Sequence, residues 1–98
     1  METKIQAIHF DASEKLVSFI NKKVERLVRH NVNITQADVT LKVVKPETAM
    51  NKEALIKITV PQHEDLVATK VADSFEEAID LALEALERQL DKKKTKKV

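Results

Sequence analysis

Apolar residues recur every second position in four stretches of this chain and at spacings of three and four in two others, and this contrast predicts the elements. Residues 4–10, KIQAIHF, set Ile5, Ala7 and His9 against Gln6, Ile8 and Phe10, the alternation of a first strand. Asp11 stands three residues before Glu14, a capping-box spacing, and Leu16, Ile20, Val24, Leu27 and Val28 then trace one face of a helix over residues 12–30. After the polar stretch NVNITQ, ADVTLKVVK alternates Val39, Leu41 and Val43 with Thr40 and Lys42, a half-buried strand that Pro46 ends. KEALIKITV repeats the pattern with Ala54, Ile56, Ile58 and Val60 up to Pro61, and a fourth strand follows near DLVATKVA at 65–72. Ser74, three before Glu77, caps a second helix whose apolar face is Phe75, Ile79, Ala82, Leu86 and Leu90.

The order β-α-β-β-β-α predicts an α+β two-layer sandwich, with a four-stranded sheet and both helices on one face. Strands two to four, joined by short connections, are expected to form an antiparallel meander. At 98 residues the chain has room for one domain, taken as 1–91, with 92–98 a basic extension of the last helix or a flexible tail.

Composition removes whole classes of chemistry. The absence of cysteine excludes disulfides and thiolate metal sites, and the absence of glycine excludes Gly-rich phosphate loops. It also predicts turns built from Asn, Asp and Pro. His9, His30 and His63 stand apart, with no second ligand at helix or strand spacing, so no metal and no cofactor is expected. Ser13, Ser18 and Ser74 have no neighbouring base, so no catalytic residue is assigned and no enzyme is expected. Residues 1–20 hold no apolar segment of signal-peptide type, and no apolar run nears the roughly 18 residues that span a bilayer, which points to a cytoplasmic protein without membrane contact.

The formal net charge is +1 and the pI about 8.0, so bulk charge selects no partner and local placement must. A helical wheel separates the first helix into an apolar stripe, an acidic pair of Glu14 and Glu25, and a basic arc of Lys15, Lys22, Lys23, Arg26, Arg29 and His30. On the second helix, Glu77, Asp80, Glu84, Glu87 and Asp91 share one side while Arg88, Lys92 and Lys96 share another. Acidic residues early in a helix and basic ones late are what the macrodipole favours, but that effect fades within a turn and does not account for the five lysines between Lys92 and Lys97. If the basic stripes meet along the groove between the helices, they form a surface that fits a phosphate backbone; the competing reading is a solvated lysine tail. Base stacking is disfavoured, because the only aromatics are Phe10, Phe19 and Phe75, and none lies mid-strand. Phe19 lies beside the basic arc, at a position suited to packing at the edge of the core.

The strand, the basic helix, three strands containing LKVVK, and LVATKVADSFEEAID running into LERQLDKKKTKK together resemble the hibernation-promoting factor and ribosome-associated inhibitor A family of bacterial ribosome-binding proteins. The most specific elements are Ala78-Ile79-Asp80, the Leu86 to Leu90 stretch with Arg88-Gln89, and the spaced lysines after it. The resemblance implies a fold shaped like double-stranded RNA-binding domains. It also implies a seat on the small ribosomal subunit where mRNA and tRNA pass, and a block on translation in stationary phase or stress without enzymatic activity. Its RNA-binding positions correspond to Lys23, Arg26, Arg88, Lys92, Lys94 and Lys96, to which the wheel adds Lys22 and Arg29. The chain departs from the family at Ala85, where a lysine is common, and at Glu76, where an aromatic is frequent. It stops at Val98 without a second, dimerising domain, so the short form is the nearest match. The implied partner is the ribosome, through small-subunit RNA, with no small-molecule substrate and a monomer when free. A protein-interaction module using a sheet edge or the acidic helix side remains the alternative.

Overall fold

A computed structural model of the chain describes residues 2–8, 10–30, 33–44, 50–62 and 64–95, the side chains of Glu2, His30 and residues 91–95 excepted. The elements follow in the expected order: β1 (Glu2–Ala7), α1 (Glu14–His30), β2 (Gln36–Val43), β3 (Lys52–Thr59), β4 (Leu66–Ala72) and α2 (Phe75–Thr95). The sheet runs β1-β2-β3-β4. β1 lies parallel to β2, joined through α1, while β2, β3 and β4 form the antiparallel meander.

Register explains which residues are buried. Cross-strand rows Ile5–Val39–Ile56–Ala68 and Ala7–Leu41–Ala54 point to the helical layer, and Ala37 pairs with Ile58 and Ile58 with Leu66 on the same face. The intervening residues Lys4, Asp38, Lys57 and Val67 point away, as a period of two requires. The helices close the core with Ile20, Val24 and Leu27 from α1 and Ala78, Ile79, Ala82 and Leu86 from α2, all essentially inaccessible. α2 lies over β3 and β4 and packs against α1, which places α1 toward the β1 side of the same face.

Several boundaries differ from the sequence-based expectation. β1 covers 2–7 rather than 4–10, because pairing with β2 ends when the Ile8 N–H donates to the Leu41 carbonyl (2.9 Å). Phe10 lies past the strand and stacks on Phe75 at the start of α2, ring centroids 5.0 Å apart, so its side chain serves the helix junction. α1 begins at Glu14 rather than residue 12, and its cap is Ser13, not Asp11: Ser13 Oγ accepts from the Leu16 N–H at 3.1 Å. Ser74 caps α2 as expected, accepting from the Glu77 N–H at 3.2 Å.

Turns without glycine have a local cost. Among the described residues the left-handed positions fall to Met50 (φ 55°) and to Gln62 (φ 68°), the latter directly after Pro61. At Met50 the Asp73 carboxylate offsets part of this by accepting from the Met50 N–H at 2.8 Å, tying the entry to β3 to the link between β4 and α2. Pro46, His9 and His63 lie outside the described residues.

Candidate nucleic-acid interface

The sheet seats both helices by their apolar stripes, and everything else on their surfaces follows from that seating. Once Ile20, Val24 and Leu27 face the core, the 100° step per residue turns Lys22, Arg26 and Arg29 to solvent, where all three are exposed. Lys23 is half-buried on the flank that faces α2. In α2, burial of Ile79, Ala82, Leu83 and Leu86 places Asp80, Glu84 and Glu87 along one exposed edge.

Between the helices runs an open groove of about 380 Å³, lined by Lys23, Arg26 and Leu27 from α1 and by Asp80, Leu83, Glu84 and Glu87 from α2. Along this described stretch of the groove only the α1 wall is basic, while the Lys92 and Lys96 side chains of the second stripe lie outside the described residues. α1 contributes the cations, whereas the described body of α2 contributes carboxylates. A helical wheel orders the flanks of a helix but does not say which flank lies next to its neighbour. That is decided by the sheet order, which puts α1 beside the Asp80–Glu84–Glu87 edge.

Specific contacts follow from this juxtaposition. Lys23 Nζ lies 3.3 Å from Asp80 Oδ1 across the groove and 5.4 Å from the centroid of the Phe19 ring, one turn earlier on its own helix. Phe19 is otherwise packed against the core, as expected for its position. Arg88 is turned along α2, where its guanidinium donates to Glu84 Oε1 at 2.9 Å, an i,i+4 pair. Gln89 Nε2 reaches the Val67 carbonyl of β4 at 3.4 Å, which ties the Arg88-Gln89 dipeptide to the sheet edge. Ala85 is partly buried against the core, and Glu76 is exposed in the first turn of α2.

Of the expected RNA-binding residues, the fold thus brings Lys23 and Arg26 together at the groove and leaves Lys22 and Arg29 on the outward side of α1. Arg88 is on the exposed surface of α2. The α2 backbone continues through Lys92 and Lys94 to Thr95, but their side chains, and all of Lys96, lie outside the described residues. Asp80 and Glu84 are the participants that the pattern of basic residues did not reveal. The Glu84–Arg88 spacing was visible as a helical pair, while the Asp80–Lys23 contact joins residues far apart in sequence and has no local signal. Among the described residues there is no group of His, Cys, Asp or Glu arranged to hold a metal ion, and no helix is long and apolar enough to cross a membrane.

Comparison with known proteins bears on what this arrangement serves. The family model described as Sigma 54 modulation protein / S30EA ribosomal protein matches residues 3–98. A ribosome hibernation promoting factor from Azotobacter vinelandii is 29% identical, the match covering all of this chain and 87% of that protein. A ribosomal subunit interface protein from Coxiella burnetii superposes with a TM-score of 0.85 at 22% identity, over 97% of this chain and 99% of that one. The N-terminal domain of Protein Y from Thermus thermophilus gives a TM-score of 0.75 at 21% identity, over 91% and 93%. The two structural relatives share the α+β sandwich described above.

Proposed function

The chain belongs to the Sigma 54 modulation protein / S30EA ribosomal protein family, and from that membership we propose that it is a ribosome-associated hibernation factor. It binds the small ribosomal subunit through ribosomal RNA, occupies the path of mRNA and tRNA, and so silences translation in stationary phase or stress. The observation that carries this reading is the similarity, over the whole chain, to a protein named a ribosome hibernation promoting factor.

The geometry supports the mode of binding. Lys22, Arg26 and Arg29 form an exposed cationic row on one rigid helix, a surface suited to phosphate contacts that position without reading sequence. The absence of aromatics from the exposed sheet face disfavours base stacking and leaves shape and charge as the means of recognition. In the sequence, Lys92, Lys94 and Lys96 supply the further cations of this reading. Action is by occupancy, without catalysis or cofactor, in the cytoplasm, and the free protein is a monomer.

Sucrose-gradient sedimentation of ribosomes with and without the protein tests this. Co-migration with the small subunit and with whole ribosomes, lost as salt is raised, is expected. Changing Lys23, Arg26, Arg88 and Lys92 together to Ala should release the protein while its melting curve stays cooperative. Full retention of that variant at physiological salt would refute the proposed surface. The alternative, a protein-interaction module, draws on the carboxylate edge of the groove and on Val67, which is 47% exposed on the edge strand β4. Recovery from lysate of a nuclease-resistant complex without ribosomes would favour it.

A further inference from the structure

Two of the cations assigned to the RNA surface are already engaged by carboxylates of the same chain: Lys23 by Asp80 at 3.3 Å and Arg88 by Glu84 at 2.9 Å. We propose that Asp80 and Glu84 act as a built-in brake on RNA binding, intramolecular competitors that a phosphate must displace from Lys23 and Arg88. The proposal rests on the ribosome-binding reading above and deepens it.

The ion pairs are poorly placed to serve the fold. Lys23 and Asp80 side chains are 36% and 51% exposed, and Arg88 and Glu84 are 73% and 60% exposed, so solvent screens both pairs. The contact between the helices does not depend on them either, because Leu27 and Leu83 line the same groove and are buried. What the pairs do change is the state in which the cations meet a polyanion. A phosphate approaching Lys22 or Arg29 finds a solvated cation. One approaching Lys23 must first break a contact with Asp80, and the freed carboxylate then stays beside the RNA backbone, where like charge repels it. Such a brake keeps binding reversible, which a protein that silences ribosomes for a limited period requires.

A third ion pair supplies the control. Lys57 Nζ lies 3.3 Å from Asp65 Oδ2, with both side chains exposed to a similar degree, but Lys57 is on the sheet face opposite the helices. Asp80→Asn and Asp65→Asn therefore change net charge equally, and each frees one lysine from an exposed pair. Affinity for purified ribosomes at physiological salt should rise about threefold for Asp80→Asn and on the order of tenfold for Asp80→Asn combined with Glu84→Gln, the scale of one and two exposed ion pairs. Asp65→Asn should stay within about twofold of the parent. Glu84→Gln alone, on the exposed side of α2, keeps the test valid if Asp80→Asn alters the melting curve. Asp80→Asn and Glu84→Gln variants that bind no more tightly than Asp65→Asn, or more weakly than the parent, would overturn the brake while leaving ribosome binding intact. A parent protein that does not bind ribosomes would instead overturn the functional reading itself.

Discussion

The two helices lie side by side on one sheet face, yet they present opposite electrostatic surfaces. α1 turns Lys22, Arg26 and Arg29 to solvent, with no carboxylate bonded to any of them among the ion pairs of the described residues. The body of α2 exposes Asp80, Glu84 and Glu87, and its one cation before residue 92, Arg88, is paired. A net charge of +1 conceals this division. Since binding responds to the local field, the proposed phosphate contact is expected to draw most on the exposed cations of α1.

Each helix is held by the same kind of packing, so truncating the core should not distinguish them. Ile20→Ala in α1 and Ile79→Ala in α2 each leave a cavity at a fully buried site and should cost about 2–5 kcal/mol, read from urea unfolding. The electrostatic contrast should then appear in binding. Replacing Lys22, Arg26 and Arg29 by Ala should lower ribosome affinity on the order of a hundredfold, roughly 2.7 kcal/mol, with stability little changed. The caps again treat the helices alike: Ser13→Ala and Ser74→Ala should each cost about 1 kcal/mol in thermal or urea unfolding. The smallest effect is expected for Arg88→Ala, less than about threefold in affinity, because Arg88 must leave Glu84 before it can meet a phosphate. A loss for Arg88→Ala as large as that for the α1 triple variant would break the distinction between the helices.

Much of this architecture was legible from periodicity. The element order, the apolar faces of both helices, the meander and the Ser74 cap all follow from local spacing, and the structure bears them out. Apart from the choice of cap for α1, which is local, the departures share a cause, since each depends on a partner distant in sequence. Alternation in KIQAIHF continues past the point where β2 can pair, so Phe10 looks like a strand residue until Phe75 is seen to meet it. Asp11 and Ser13 are both acceptable caps by residue type, and the chain path into α1 selects Ser13. The basic row of α1 was readable because it lies on a single helix. The composition of the groove was not, because a helical wheel carries no information about which flank the sheet order turns toward its neighbour.

The salt dependence of ribosome binding tests the central claim most directly, measured for the parent and for the variant with Lys22, Arg26 and Arg29 changed to Ala. If these side chains neutralise phosphates, log affinity should fall linearly with log salt, and the slope should be shallower in the variant by about 2–3. Parallel slopes for the two proteins, with similar affinities, would contradict the account and move the contact away from α1.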